Sequence, residues 1–297
     1  MRVLRDIQNL PELENAVLTI GSFDGVHNGH RALIKKVKSL AQKVEGEVVI
    51  ITFHPHPRQI IYPKDDSLKL LNSIEEKIQL FEKLGVDNLV IVPFSIEFSQ
   101  QPADEYVEKF LVEKFHPKMI VVGFDHKFGL NRQGNIDYLR HHGKTHGFEV
   151  FEIQEQTISD LKISSTRIRN ALMEQRISDA NKNLGYHYML SGEVIRGLEL
   201  GSKLGFPTAN LKVETKYKLV PPNGVYAAYV QFKNQQYKSM FYIGNRMTLE
   251  GHPQLTMEAN IFDFDDSIYG ENIQVELVEF IRDGKKFDDL NLSLIHI

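Results

Sequence analysis

The 297-residue chain contains no cysteine. That excludes disulfides, thiolate-held iron–sulfur clusters and thiol catalysis, and it fits a reducing compartment. No apolar run approaches the length of a membrane span, and the opening residues, MRVLRDIQNLPELEN, lack the continuous apolar core of a signal peptide. Positive charge is not in excess either. The formal net charge is −4, so nothing pulls the whole molecule toward nucleic acid. These absences point to a soluble, cytoplasmic protein that engages neither membrane nor nucleic acid. Hydrophobic residues make up 42% and charged residues 25% of the chain, an ordinary globular balance. The length suggests roughly two domains.

The most informative stretch is VLTIGSFDGVHNGH, residues 17–30. Four apolar residues, Val17 to Ile20, run into a loop holding Gly21, Gly25 and Gly29, and a helix follows from about His30. A strand that empties into such a loop and then a helix brings backbone N–H groups close to a phosphate chain. His27 and His30 flank Asn28-Gly29, and His30 falls in the first helical turn, where the dipole favours negative charge. Glycines that close a tight turn, with histidines capping it, are the simpler alternative. A zinc site at His27 and His30 lacks a third ligand nearby. The string resembles the nucleotidyltransferase signature G-x-F-D-G-x-H-x-G-H, filled by Gly21, Phe23, Asp24, Gly25, His27, Gly29 and His30. The embedded H-x-G-H alone also resembles the class I aminoacyl-tRNA synthetases.

Apolar runs at Val48–Phe53, Leu89–Val92, Met119–Val122 and Glu149–Ile153 read as further strands. Helical patterns separate them, among them Ser73-Ile74-Glu75-Glu76 with its capping box, Asp104–Phe115, and a segment around Asn135–His146. Strands alternating with helices predict a doubly wound parallel sheet whose strand-end loops gather on one edge. One such loop is His54-Pro55-His56-Pro57, where proline argues against both helix and central strand. It reads as a stiff connector or as a ligand loop. Within ISSTRIRNAL, Ser164, Ser165 and Thr166 stand at a helix start with Arg167 and Arg169 just inside. Arginine in a first turn opposes the dipole unless an anion is bound, so a phosphate role is expected; a capped surface helix explains the serines but not both arginines.

From Met189 the apolar period changes to two, as in Tyr226, Ala228, Val230 and Phe232. Turn signals fall at Pro221-Pro222-Asn223-Gly224 and Asn234-Gln235. A second, β-rich domain is expected, a small antiparallel barrel beginning near Gly185–Leu190. Gly192, Gly197, Gly201 and Gly205 lead to Phe206-Pro207-Thr208-Ala209-Asn210. Thr208 and Asn210 are hard oxygen donors on alternate residues and suit one Mg²⁺. Glu258 sits in a strand over 254–262 and reads either as an edge residue or as a general base.

Both halves together resemble the bacterial bifunctional riboflavin kinase/FAD synthetase family. The resemblance rests on GSFDGVHNGH, Phe53-His54-Pro55, GFDHKFG, ISSTRIR, LGFPTAN, Asn223-Gly224-Val225-Tyr226, Tyr242-Ile243-Gly244 and MEANIFDFDDSIYG. It implies an adenylyltransferase domain over residues 1–186 and a riboflavin kinase domain over 187–297. Riboflavin and ATP would give FMN in the second domain, and FMN and ATP would give FAD and pyrophosphate in the first. By resemblance, Thr208 and Asn210 hold Mg²⁺ and Glu258 accepts the ribityl hydroxyl proton. His27, His30 and Arg169 would serve adenylyl transfer. Gly21, Phe23, Asp24, Gly25, Gly29, Ser164, Thr166, Gly201 and Gly205 would meet ATP, and Phe53, Pro55, Pro57, Asp125, Phe128 and Arg282 the flavin. Two departures stand out. Met247 occupies a position where the family usually has proline, and NLSLIHI ends the chain where the family continues into a longer charged helix; weaker riboflavin binding is the expectation. The rivals are a tRNA synthetase, a non-catalytic flavin-binding protein and an adenylyltransferase making precursors of NAD or coenzyme A. ISSTRIR and a barrel stand where the synthetase would have a lysine-rich signature and an anticodon domain; the retained set of Thr208, Asn210, Glu258, His30 and Arg169 argues against the second rival, and GFPTAN against the third.

Overall fold

The computed structural model describes residues 1–65, 67–123, 126–153, 163–197, 208–214, 216–247 and 253–284. Packing divides the chain into two compact units, Met1–Ser165 and Thr166–Ile297.

In the first unit, β1 (Arg2–Leu4), β2 (Val17–Ile20), β3 (Val48–His54), β4 (Asn88–Pro93), β5 (Met119–Gly123) and β6 (Glu149–Ile153) form one sheet. Its order is β1-β4-β3-β2-β5-β6, and every pair is parallel. The run Val17–Ile20 is apolar on both faces because both faces are covered. The helices between strands are α1 (Asn28–Lys43), α2 (Pro57–Ile61), α3 (Ile74–Lys83), α4 (Ile96–Ser99), α5 (Ala103–Glu105), α6 (Glu113–Phe115) and α7 (Ile136–His146). α1 buries Ile34, Val37, Leu40 and Ala41 against the sheet. α3 starts on the expected capping box: Ser73 accepts from the Glu76 N–H and Glu76 accepts from the Ser73 N–H, an arrangement whose serine alone is worth about 1 kcal/mol.

Three details differ from the sequence expectation. β1 is a sixth strand, three residues long, held at the sheet edge by Asn88, Leu89 and Val90. The helix expected over Asp104–Phe115 is interrupted by a π-helical stretch, Tyr106–Val112, between α5 and α6. Pro57, expected to forbid helix, instead opens α2 at its first position, where the missing N–H costs nothing. The chain runs β2, β3, β4 to one side of the sheet and β5, β6 to the other, so the strand order reverses around β2. Open sheets of this kind bind ligands outside the carboxyl ends of the strands at that reversal.

The second unit begins with α8 (Ser165–Met173), nearly all of which belongs to it, and α9 (Ile177–Leu184). β7 (Tyr188–Ile195), β8 (Ala209–Lys212), β9 (Gly224–Phe232), β10 (Gln235–Met247), β11 (Pro253–Ile261) and β12 (Asn272–Arg282) then close into a barrel of order β10-β11-β8-β7-β12-β9. Tyr226, Val230, Phe241, Ile243, Ala259 and Val275 fill its interior. The β9–β10 turn sits one residue earlier than expected, on Lys233 and Asn234. Both have positive φ, 46° and 64°, the twist that a two-residue hairpin turn needs. α9 packs on the barrel: Asn181 donates to the Leu277 carbonyl at 2.8 Å and accepts from the Tyr188 N–H at 2.7 Å.

Candidate functional site

The loop between β2 and α1 is shaped from below. Phe23 is buried, with its ring edge-on to His30 at 5.3 Å and to Phe81 at 5.6 Å. Asp24 is buried too, and its Oδ1 accepts the Leu71 N–H at 2.8 Å. These two anchors hold the loop of residues 21–27 against the body of the domain. His27 caps α1, its Nδ1 accepting the His30 N–H at 3.4 Å, and the two imidazoles stack at 3.7 Å with planes 13° apart. Burial first, then the neighbouring His27 and Lys77, push the His30 imidazole well below its usual 6.5. Its Nδ1 is buried without a hydrogen-bond partner. An orphaned ring nitrogen in the first turn of a 16-residue helix is the feature an absent anionic ligand would satisfy. No acidic residue occupies that turn.

Beside this loop lies a cavity of about 360 Å³. Its apolar wall is formed by Phe53, Phe94, Phe98, Tyr106 and Phe128, its rim by Lys127 and Arg132. Phe53, Phe94 and Phe98 meet one another at centroid distances of 5.5 to 5.7 Å, and Phe128 stacks on Tyr106 at 4.9 Å. Burial lifts the Tyr106 hydroxyl far above its ordinary value, so it stays neutral. An aromatic slot with cationic groups at its mouth suits a planar ring system that carries a phosphate. Gly21 and Pro57 line it as well, while Pro55 is not among the lining residues.

At the start of α8, Ser165 Oγ donates to the Asp24 carbonyl at 2.8 Å. Ser164 is exposed. Thr166 and Arg169 belong to the second unit.

In the barrel, the register sets Asn210 opposite Glu258, Glu258 opposite Tyr242, Tyr242 opposite Val225 and Val225 opposite Arg282. Opposed residues share a face, and the flanking Phe241, Ile243, Met257 and Ala259 point inward, so this row lies on the outside of the barrel. Thr208 Oγ1 stands 3.4 Å from Glu258 Oε2. Gly197 presses on the Asn210 amide so closely that a Cβ there would lie 2.2 Å from Nδ2. A hydroxyl, an amide and a carboxylate within one patch form the hard-oxygen donor set that Mg²⁺ accepts, and in that respect the residues fit the ion. Thr208 also lines a cavity of about 240 Å³ with Val194, Ala259 and Tyr269.

Sequence reasoning missed Leu71 and Lys77, which brace the loop, and the aromatic wall of Phe94, Phe98 and Tyr106; it singled out Ser165 but not its Asp24 partner. Their spacing in the chain carries no signal; the fold assembles them. Asp125, Gly201, Gly205, the Met247 side chain and residues 285–297 lie outside the described residues.

A parallel sheet with an anion-ready helix start at its reversal point, followed by a closed barrel bearing an oxygen-donor row, defines a two-domain enzyme of phosphorylated small molecules. The FAD synthetase family matches residues 9–167 and the riboflavin kinase family residues 184–295. The chain is 36% identical to the bifunctional riboflavin kinase/FMN adenylyltransferase of Listeria monocytogenes, covering 92% of this chain and 86% of the relative. It is 34% identical to the protein of that description in Escherichia coli K12, covering 98% and 93%. A solved structure described as a macrolide-efflux protein from Streptococcus pneumoniae overlays with a TM-score of 0.86 at 29% identity, covering 99% of this chain and 95% of that one. No helix among the described residues is long and apolar enough to cross a membrane. The chain belongs to the bifunctional riboflavin kinase/FMN adenylyltransferase family, and both of its domains are enzymatic.

Proposed function

We propose that the chain makes FMN from riboflavin and ATP in its barrel, then joins FMN to the adenylyl group of a second ATP in its parallel-sheet domain. The functional border falls at 186/187. It assigns α8, with Thr166 and Arg169, to the first domain. The observation that supports this reading is that each half keeps its own reactive set, Thr208, Asn210 and Glu258 in one and the His27–His30 helix start in the other.

In the kinase reaction the ribityl hydroxyl oxygen attacks the γ-phosphorus of ATP, its proton passes to a Glu258 carboxylate oxygen, and the bond to the bridging oxygen breaks to release ADP. Thr208 and Asn210 would hold Mg²⁺, which when bound neutralises charge on the β- and γ-phosphates. Glu258 stays within reach of that patch through Thr208, and Arg282 engages the flavin.

In the adenylyl transfer an FMN phosphate oxygen attacks the α-phosphorus, and the bond to pyrophosphate breaks. The nucleophile is already ionised and needs no base. Catalysis is charge stabilisation by the loop amides from Gly21 to Gly29, by His27 and His30, and by Ser164, Thr166 and Arg169. His30, kept neutral by burial, offers a hydrogen bond rather than a full charge. Phe53, Pro57 and Phe128 enclose the isoalloxazine ring, Pro55 and Asp125 serve the flavin by family match alone, and Lys127 and Arg132 suit the FMN phosphate. The setting is cytoplasmic, and the partners are small molecules.

The test is a chromatogram of the purified chain with riboflavin, ATP and Mg²⁺. FMN appears first and FAD after it. His30→Ala stops FAD formation while FMN accumulates. Equal loss of both products in that variant would sink the two-site reading.

A further inference from the structure

Away from both reactive sets, the π-helical stretch Tyr106–Val112 and α7 face each other with a group of ligating side chains between them. His142 and His146 are four residues apart on α7, so both leave the same face. Their rings are parallel, 2° apart, with centroids 5.9 Å from each other. Glu108 comes across from the π-helical stretch. Its Oε1 is 4.0 Å from His142 Nδ1 and 3.9 Å from His146 Nε2, and one donor atom from each of the three residues lies within 4.8 Å of the other two. Donors around a tetrahedral ion with bonds of about 2.1 Å stand about 3.4 Å apart. Small rotations of the two exposed side chains, Glu108 and His146, close that difference.

A second observation separates this group from a chance pair of surface histidines. His142 is buried, and its other ring nitrogen, Nε2, faces Asp104 Oδ1 at 3.3 Å. The same Asp104 oxygen accepts the Tyr138 hydroxyl. A metal-binding histidine characteristically gives its second N–H to a carboxylate, which fixes the ring and raises its basicity. Asp104 is in that position, held by Tyr138, and leaves Nδ1 of His142 directed toward Glu108. The helix wall is also irregular here, since Glu108 is carried by a π turn, a feature frequent at functional sites.

We propose that Glu108, His142 and His146 form a site for a borderline divalent transition ion of the Zn²⁺ class, with Asp104 orienting His142 and solvent supplying the fourth position. Two imidazoles and one carboxylate select such an ion over Mg²⁺, so the site is chemically distinct from the one at Thr208 and Asn210. Bound metal would clamp the π-helical stretch to α7. Tyr138 stacks on His142 at 4.9 Å and meets Phe128 edge-on at 6.1 Å, so the clamp backs the wall of the aromatic cavity.

The experiment titrates chelator-stripped full-length protein with Zn²⁺ against a chromophoric competitor, and separately with Co²⁺. Expected are one tight equivalent, a thermal unfolding midpoint that rises with Zn²⁺, and the visible absorption of four-coordinate cobalt. Excess Mg²⁺ leaves all three unchanged. His146→Gln and Glu108→Gln, both at exposed positions, lower affinity by more than tenfold, and Asp104→Asn lowers it by about tenfold. Absence of a stoichiometric site overturns the proposal. So does wild-type binding by His146→Gln and Glu108→Gln, which would mark an adventitious ion held elsewhere, for instance by His27 and His30. His30→Ala should bind Zn²⁺ as the wild type does.

Discussion

The buried ammonium of Lys77 donates to the main-chain oxygen of Ser22 at 2.7 Å. A helix residue thereby holds the floor of a loop 55 positions earlier in the chain. Burial lowers the pKa of Lys77 from its usual 10.5, and the nearby Asp24 partly offsets the drop. Thr52 Oγ1 approaches the same Ser22 oxygen only at 3.4 Å, so Lys77 carries the contact. Lys77→Met should cost about 1–3 kcal/mol of unfolding free energy, as expected when a buried acceptor loses its partner. It should also raise the KM for ATP in FAD formation and leave FMN formation unchanged. Urea unfolding and the two assays measure this; an unaltered ATP dependence would show that the loop does not depend on Lys77.

His30 links stability to pH. Its folded pKa lies below 6.5, so below about 6.5 the unfolded chain binds a proton that the native one does not, and stability must fall with pH. The loss continues down to the folded pKa and then levels off. His30→Asn should flatten the curve of unfolding free energy between about pH 7 and pH 5. Parallel curves for variant and wild type would assign the slope to other groups.

Glu258→Gln removes the proton acceptor but keeps the shape of the patch. FMN formation should drop about 10²-fold or more, while added FMN is still converted to FAD at the original rate. Retained kinase turnover would remove Glu258 from the chemistry.

Gly197→Ala tests the oxygen-donor patch without touching a reactive group. The new methyl must displace the Asn210 amide. The Mg²⁺ concentration for half-maximal kinase rate should rise, with FAD formation from FMN unaffected. An unchanged Mg²⁺ dependence would mean that Asn210 is not a ligand.

The parts of this molecule visible in the sequence are those that local chemistry dictates. Val17–Ile20 followed by glycines, the capping box of Ser73 and Glu76, and the alternation from Tyr226 to Phe232 each announce their structure within a few residues. The rest depends on distant partners. β1 has three residues, with Arg2 and Val3 exposed, and becomes a strand because β4 is there to pair with. The π-helical stretch repeats the apolar spacing of an α-helix closely enough to be read as one. Ser165 finds the Asp24 carbonyl across 141 positions, and its neighbour Ser164 drew equal attention because spacing cannot tell which hydroxyl turns inward. The group at Glu108, His142 and His146 was hidden for the same reason. Its histidines are separated from the glutamate by α6, β5 and the segment that follows.

Because Asn210, Glu258, Tyr242, Val225 and Arg282 stand opposite one another on successive strands of a closed cylinder, their mutual spacing is dictated by strand pairing, not by the segments that join the strands. Connecting turns can lengthen, shorten or change composition without altering the distance between the proton acceptor and its neighbours. Substrate preference in such an enzyme is therefore open to redesign at the barrel's rim while the chemical step keeps its geometry.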